Sequence, residues 1–181
     1  MRDEATVIEG HEALPMERLL PWLEGALGRR VGAVALGRFG RGYSNLTFLV
    51  VADGEELVVR RPPVGVKIAH AHDMAREGRI VQGVGRVWGK VPEVVGICED
   101  EAVLGAAFYV MRRVRGEILR DRAPEGGVPE ARMRRVAEGL VDTLAEIHGL
   151  EVEAAGLTGI GRPEGYARRQ VEGRSEERRV G

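Results

Sequence analysis

The sequence predicts an α+β fold, in which a five-stranded antiparallel sheet carries one helix and is followed by the first helices of a second, helical region. Two observations predict the sheet: short runs rich in β-branched and aromatic residues recur along the chain, and tight-turn signals separate several of them. The third observation is a single helical pattern that interrupts the runs, which is typical of an antiparallel sheet with a helix on one face. A long amphipathic pattern nearer the C-terminus predicts the helical region.

Residues 1–29 are predicted to be an N-terminal helical segment. Residues 1–13 are polar and are expected to be loose. From Pro15 to Leu27 apolar residues recur at helical spacing, and Pro15 suits the first turn of a helix. These apolar residues are Met16, Leu19, Leu20, Leu23 and Leu27. Gly32 is expected to end this element.

Residues 30–116 are predicted to contain the sheet and its helix. The first three strands are expected at 33–39, 46–52 and 55–61. Residues 40–45 join the first two strands, and Asp53-Gly54 is a strong tight-turn signal before the third. Pro62 and Pro63 then break the chain.

A helix and two further strands complete this unit. The helix is expected from Asp73 to Val84, because a negative charge in the first turn suits the helix dipole. The last two strands are expected at 91–98 and 106–113. A turn is expected over Glu99–Glu101, between these strands.

Residues 117–172 are predicted to begin the helical region. After a loop rich in proline and glycine, an amphipathic helix is expected from Glu130 to His148, with Gly149 placed to end it. Its apolar residues are Met133, Val136, Ala137, Leu140, Val141, Leu144, Ala145 and Ile147. Residues 173–181 have almost nothing to bury and are expected to be a non-native or disordered tail.

Composition and charge argue against several classes of protein. A formal net charge of -1 argues against a nucleic-acid partner, which usually requires a strong basic excess. No apolar run approaches the roughly 20 residues of a membrane span, and the polar start of the chain is a poor signal peptide, so a cytoplasmic protein is expected. The single cysteine, Cys98, lies in an apolar run and is predicted to be a buried structural thiol.

Clustered glycines follow the first predicted strand, within residues 36–45. A dinucleotide-binding turn would have to open a helix, but the apolar, β-branched residues that come next predict a strand. A Walker loop would need a Gly-Lys-Ser/Thr sequence, and no lysine occurs before Lys67. Two alternatives stay open. One is an ordinary hairpin, and the other is a phosphate cover in which Gly40 and Gly42 admit a triphosphate to the backbone and Ser44 offers a hydroxyl.

Two charged residues are placed to complete a phosphate site beneath such a hairpin. Arg60, near the end of the third strand, would reach the α- and β-phosphates, while Arg61 would point to the opposite face. Glu77, on the following helix, would pair with Arg60 and hold it in place. The alternatives are a solvated pair of arginines, and a plain surface charge for Glu77 because Arg76 and Arg79 flank it.

Several motifs occur in a characteristic order along the chain. They are Phe39-Gly40-x-Gly42-x-Ser44-Asn45-x-Thr47, Val59-Arg60-Arg61-Pro62-Pro63, Ala71-His72-Asp73-Met74-x-Arg76-Glu77, Gly105-x-x-Phe108-Tyr109-Val110-Met111, Val114-x-Gly116, Leu144-x-x-Ile147-His148 and Gly161-Arg162-Pro163-x-Gly165-Tyr166. With them, residues from about 30 to 170 resemble the aminoglycoside phosphotransferase family, a branch of the kinase-like fold. The resemblance is closest to phosphotransferases related to the kinase-like domain of acyl-CoA dehydrogenase fusion proteins.

The resemblance implies a protein-kinase-like small lobe over residues 30–116, with the linker strand Phe108–Val114, and a truncated large lobe over 117–172. It implies transfer of the γ-phosphoryl of ATP, with Mg²⁺, to a small-molecule hydroxyl. The acceptor could be an aminoglycoside, another small molecule or, by the closer resemblance, a hydroxyacyl-CoA. The implied nucleotide-binding residues are Gly40, Gly42, Ser44, Asn45, Arg60, Glu77, Met111, Arg112 and Arg113. The expected partners are a nucleotide and this hydroxyl acceptor, with no nucleic acid and no membrane.

The catalytic loop of the family is missing from the sequence. That loop supplies an aspartate base, an asparagine that binds magnesium and, later, a second metal-binding aspartate. After Gly116 the only aspartates are Asp121 and Asp142, neither preceded by His-Gly or His-Arg, and Asn45 is the only asparagine. No catalytic or metal residue is assigned, and the chain is expected to be an inactive N-terminal fragment. The alternative is a non-catalytic nucleotide-binding or pseudokinase-like interaction module.

Overall fold

The computed structural model describes residues 6–7, 14–39, 45–63, 73–117, 127–161, 164–169 and 171–172. Its strands are β1 (Thr6–Val7), β2 (Val34–Arg38), β3 (Leu46–Ala52), β4 (Glu55–Arg61), β5 (Val94–Cys98) and β6 (Phe108–Arg112). Its helices are α1 (Met16–Leu27), α2 (Met74–Val87), α3 (Glu101–Leu104) and α4 (Glu130–His148).

All these strands form one antiparallel sheet in the order β1-β2-β3-β4-β6-β5. The predicted five-stranded antiparallel sheet is confirmed as β2 to β6. The expectation that residues 1–13 are loose is wrong for Thr6 and Val7, which pair with Arg38 and Gly37 at one edge. A strand this short cannot show the alternating pattern by which strands are recognised in a sequence.

One face of the sheet packs against α1 and forms the main core. The apolar stripe predicted for α1 places Leu19 and Leu23 in this core, where both are fully buried. Trp22 contacts Phe108 edge to face, with ring centroids 4.8 Å apart. Gly96 allows the Trp22 ring to approach, because a Cβ at this position would lie 3.1 Å from the ring. The face of the sheet that carries Phe108 is therefore covered by α1.

The opposite face of the sheet packs against α2. This helix starts after Asp73, whose side chain accepts the N–H of Arg76 at 2.8 Å and caps the first turn. Gly78 faces Ile97 and Tyr109, and a Cβ at this position would lie 3.0 Å from both side chains. The lack of a side chain at position 78 therefore brings α2 close to β5 and β6.

Two other segments differ from the expected elements. The turn predicted over Glu99–Glu101 is the start of the short helix α3, because the Asp100 side chain accepts the N–H of Ala102 and caps it. β5 begins at Val94, later than expected, because Pro92 lacks the N–H that a ladder hydrogen bond needs. Both differences arise from local hydrogen bonding at the end of an element.

Cys98 ends β5 and belongs to the core. Its side chain is 3% exposed, and burial raises the pKa of its thiol. A buried, protonated thiol is a poor nucleophile. The predicted buried thiol is confirmed.

The amphipathic helix predicted from Glu130 to His148 is confirmed as α4. The structure describes every residue of α4, and none of them is buried. The large apolar residues left exposed on it are Met133, Val136, Leu140, Val141, Leu144 and Ile147. Glu146 connects α4 to the end of α2, since its carboxylate accepts hydrogen bonds from Trp88 Nε1 at 2.8 Å and Lys90 Nζ at 2.6 Å.

None of the helices in the described part of the chain is long and apolar enough to cross a bilayer.

Asp53 links the β3–β4 turn to the end of α1. Asp53 and Gly54 have φ angles of 51° and 85°, the left-handed pair that the tight-turn signal predicts. The Asp53 carboxylate accepts the N–H groups of Ala33 at 2.8 Å and Gly32 at 3.1 Å, and Arg29 Nη1 donates to it at 3.0 Å. These hydrogen bonds, above all those from Ala33 and Gly32, hold the pKa of Asp53 below its ordinary value.

Folding stability is therefore expected to depend on the ionisation of Asp53. Because its pKa is lower in the folded chain, the carboxylate stabilises the fold above the ordinary aspartate pKa of about 3.9, and this contribution is lost as the pH falls through the folded-state pKa. Asp53→Asn should lower the urea unfolding midpoint more at about pH 6 than at about pH 3. The control Asp142→Asn, on exposed α4, should show no such difference. Equal effects of Asp53→Asn at both pH values would contradict this expectation.

Candidate nucleotide-binding site

The candidate site lies on the face of the sheet that packs against α2. In the strand register, Arg60 of β4 is opposite both Thr47 of β3 and Tyr109 of β6. Residues directly opposite in an antiparallel sheet share a face, so these three side chains are neighbours. Arg61 points to the other face, is only 7% exposed, and donates from Nε to the carbonyl oxygen of Pro62 at 3.2 Å. Arg60 and Arg61 therefore lie on opposite faces, as strand alternation predicts.

Glu77 reaches Arg60 from α2. Its Oε1 lies 3.2 Å from Arg60 Nε, and each of the two side chains is about one-third exposed. The contact is an ion pair without hydrogen-bond geometry, because the buried Arg60 Nε makes no hydrogen bond within the described residues. The predicted contact is thus present. A partly exposed pair of this kind contributes only about 0–1 kcal/mol to stability.

Tyr109 contacts the same carboxylate from the sheet. Its hydroxyl donates to Glu77 Oε1 at 2.8 Å, and the residue is 1% exposed. Burial, followed by the hydrogen bond to Glu77, raises the pKa of Tyr109 well above its ordinary value. The phenol therefore stays a hydrogen-bond donor at physiological pH.

A cavity of about 330 Å³ opens between the ends of β2 and β3 and the chain that follows β6. Apolar surface from Phe39, Val58 and Met111 lines it. Thr47 also lines it and is the β3 partner of Arg60, so the cavity adjoins the face on which Arg60 lies. A concave and mainly apolar cavity with a few polar groups beside it is the usual form of a small-molecule site.

The chain that leaves β6 lines another side of the cavity. The guanidinium of Arg113 lies 5.4 Å from the centroid of the Phe39 ring and 3.1 Å from Glu56 Oε1. Arg112 pairs with Glu93, with Nε 2.9 Å from Oε2. The backbone N–H groups of both arginines donate to backbone carbonyl oxygens: Arg112 to that of Glu93 at 2.8 Å, and Arg113 to that of Glu56 at 3.0 Å. A nucleobase would therefore have to find its backbone donor later in the chain.

The predicted site residues fall into three groups. Those at or beside the cavity are Arg60, Glu77, Met111, Arg112 and Arg113. Asn45 precedes β3 and is half-buried. The hairpin residues Gly40, Gly42 and Ser44 lie outside the described residues, and their contacts with phosphate stay predictions.

Sequence reasoning did not assign Tyr109 or Val58 to the site. The alternation along Phe108–Met111 indicates that Tyr109 and Met111 share a face, but it does not indicate which residues lie opposite them. That depends on the strand order, in which β6 and not β5 is the neighbour of β4. The strand order brings Tyr109 beside Arg60.

The antiparallel sheet with α2 on one face defines the class of protein: a kinase-like phosphotransferase fold. In that fold a basic residue on the third strand of the lobe and a carboxylate on the next helix form a pair at the nucleotide site. The chain belongs to the phosphotransferase enzyme family (APH), whose family profile matches residues 35–180. The resemblance inferred from the motifs is confirmed.

Curated relatives and one solved structure agree with this assignment. The chain is 37% identical to acyl-CoA dehydrogenase family member 11 of Gallus gallus, over 77% of this chain and 18% of that protein. It is 32% identical to acyl-CoA dehydrogenase family member 10 of Mus musculus, over 88% of this chain and 15% of that protein. The crystal structure of a proposed aminoglycoside phosphotransferase from Ralstonia eutropha has a TM-score of 0.73 and 28% identity, over 93% of this chain and 48% of that one. The chain thus spans less than a fifth of the length of these curated relatives.

Proposed function

We propose that residues 30–116 form the nucleotide-binding lobe of a phosphotransferase that moves the γ-phosphoryl of ATP to a small-molecule hydroxyl. The observation that carries this proposal is the Arg60–Glu77 pair, at 3.2 Å on the cavity side of the sheet. The guanidinium is a cation, and the carboxylate beside it limits the directions in which it can point. An oriented cation next to an apolar cavity suits a ligand that has an aromatic base and a polyphosphate chain.

The nucleobase is proposed to occupy the cavity. Phe39, Val58 and Met111 offer apolar surface to a planar ring. The backbone N–H groups of Arg112 and Arg113 already donate to backbone carbonyl oxygens. Backbone hydrogen bonds to the base are therefore proposed from Val114 onwards. Val114 also lines the cavity.

The phosphates are proposed to lie between Arg60 and the hairpin that contains Gly40, Gly42 and Ser44. The two glycines would admit phosphate oxygens to the backbone N–H groups, and Ser44 would donate its hydroxyl. Kinases usually carry a lysine at the position of Arg60. An arginine there can form a bidentate contact with phosphate, which a lysine cannot.

The residues that the structure describes do not fit a magnesium site. In the described part of the chain, no group of three or more His, Cys, Asp or Glu side chains could hold a metal ion. Asn45 is the only asparagine in the sequence, and no catalytic-loop aspartate follows Gly116. No step is therefore assigned to a metal. This chain by itself is proposed to bind a nucleotide without completing the transfer.

The acceptor is proposed to be a small molecule with a hydroxyl group, with a hydroxyacyl-CoA as the first candidate. Two relatives that match over most of this chain are named acyl-CoA dehydrogenase family members. Their names support an acyl-CoA that carries a hydroxyl group as the acceptor. The second candidate function is a non-catalytic nucleotide-binding module. Such a module would use the Arg60–Glu77 pair to hold a nucleotide and would need no catalytic-loop residue.

Arg60→Ala is expected to weaken binding of the fluorescent nucleotide mant-ATP by about tenfold or more, or about 1.4 kcal/mol, because it removes a charge-assisted phosphate contact. Fluorescence titration of the purified chain measures the dissociation constant. Arg30→Ala is the matched control, because it removes the same charge from a side chain that is 94% exposed and outside the site. Unchanged binding by Arg60→Ala, or an equal loss in Arg30→Ala, would remove the assignment of a nucleotide site.

A further inference from the structure

Tyr109 and Arg60 converge on one atom of Glu77. The phenol hydroxyl donates to Glu77 Oε1 at 2.8 Å, and Arg60 Nε lies 3.2 Å from the same oxygen. Only the first of these contacts has hydrogen-bond geometry, since Arg60 Nε makes no hydrogen bond within the described residues. Tyr109 therefore supplies the directional contact to the carboxylate, and Arg60 supplies the opposite charge.

The fold leaves Tyr109 little freedom to move away from this contact. It is paired with Arg60 in the β4–β6 register, so both side chains lie on the same face of the sheet. Gly78, next to Glu77 in α2, lies against the ring, and a Cβ at this position would be 3.0 Å from Tyr109 Cβ and Cγ. Gly78 is therefore packed on Tyr109, whose hydroxyl donates to the neighbouring Glu77.

A buried tyrosine needs a hydrogen-bond partner in any protein, so the contact could serve stability alone. Two features favour a role in the site. The partner is the carboxylate that faces the candidate phosphate-binding arginine, rather than a backbone carbonyl. The oxygen that accepts the hydrogen bond is also the one nearest to Arg60.

We propose that Tyr109 is a positioning residue of the nucleotide site, which acts through Glu77 to hold Arg60 where the phosphates of a nucleotide approach. This inference rests on the proposed function. It adds a residue on β6 to a pair that kinase-like folds build from a strand and a helix. Burial and the hydrogen bond to Glu77 raise the pKa of Tyr109, so the phenol remains a hydrogen-bond donor over the physiological range.

The test is a double-mutant cycle on mant-ATP binding. Tyr109→Phe keeps the buried ring and removes only the hydroxyl, and it is expected to weaken binding about three- to tenfold. In a Glu77→Gln background the same substitution should cause no further loss, because the group through which it acts is already altered. Tyr166→Phe, at a residue that is 61% exposed, is the control and should bind like the wild type.

Each outcome decides the proposal. If the wild type binds mant-ATP and Arg60→Ala weakens binding, but Tyr109→Phe binds like the wild type, the positioning role is overturned while the nucleotide site stands. If Tyr109→Phe weakens mant-ATP binding by the same factor in the wild-type and Glu77→Gln backgrounds, Tyr109 does not act through Glu77 and the proposal fails. If the wild type does not bind, the nucleotide site and the positioning role are both overturned. Urea unfolding of each variant confirms that the binding differences are measured on folded protein.

Discussion

The purified chain is expected to transfer no phosphate from ATP, even with magnesium and a hydroxyacyl-CoA present. Phosphoryl transfer needs little covalent chemistry from a protein, so positioning and charge stabilisation supply nearly all of the catalysis. The sequence offers Arg60 and Glu77 to position a nucleotide, but no catalytic-loop aspartate and no asparagine other than Asn45. Release of ADP should therefore equal that of a mock preparation.

The matched comparison for this experiment is the Arg60→Ala variant, prepared in the same way. Contaminating kinases would give turnover that is equal in the wild type and in Arg60→Ala. Magnesium-dependent ADP release that exceeds the mock preparation and disappears in Arg60→Ala would contradict the expected inactivity. Nucleotide binding without turnover is the result that the proposed function requires.

Gly83→Ala is expected to destabilise the folded chain, although alanine is the better helix former. Gly83 is buried in α2, and a Cβ at this position would lie 2.7 Å from the carbonyl oxygen of Ala155 and 2.5 Å from Leu157 Cδ2. The leucine side chain can move, but the carbonyl oxygen belongs to backbone that must shift as a segment. Overpacking costs about 1–3 kcal/mol and helix propensity offsets about 1 kcal/mol, so a net loss of up to about 2 kcal/mol is expected in urea unfolding.

Gly85→Ala is the matched control on the same helix. A Cβ at position 85 would meet only Val91 Cγ2, at 3.4 Å, which is an ordinary van der Waals contact. This substitution should stabilise the chain by about 0.5–1 kcal/mol through helix propensity. If Gly83→Ala lowers the free energy of unfolding and Gly85→Ala raises it, then α2, the helix that carries Glu77, is packed against residues 155–157. Stabilisation by Gly83→Ala would instead mean that this contact is absent in solution.

The order and type of most elements could be predicted from local patterns. The bounds of β3, β4 and α4 agree with the expected ones. In each element the apolar residues recur at the spacing of a strand or helix without interruption, and aspartate, proline or glycine follows the last residue. Predictions failed where the signal is one or two residues long. Examples are the edge strand Thr6–Val7 and the Asp100 cap that turns Glu101–Leu104 into a helix.

The site was predictable in part. Alternation along β4 separates Arg60 from Arg61, and the order of strand and helix brings Glu77 to Arg60 once the kinase-like resemblance is noted. The hydrogen bonding of the Arg112 and Arg113 backbone N–H groups was not predictable. The acceptors are the carbonyl oxygens of Glu93 and Glu56, which are distant in the sequence.

By itself, the sequence determined the family and the face of β4 on which Arg60 lies. Those properties follow from residue identity and from the two-residue period of a strand, which are local. The contact of Tyr109 with Glu77 and the close packing of α2 required the tertiary structure. The neighbours of a strand residue depend on strand order and register, which are not local properties. The close approach of α2 depends on packing, which brings Gly78 against Tyr109 and Ile97 and Gly83 against the carbonyl oxygen of Ala155.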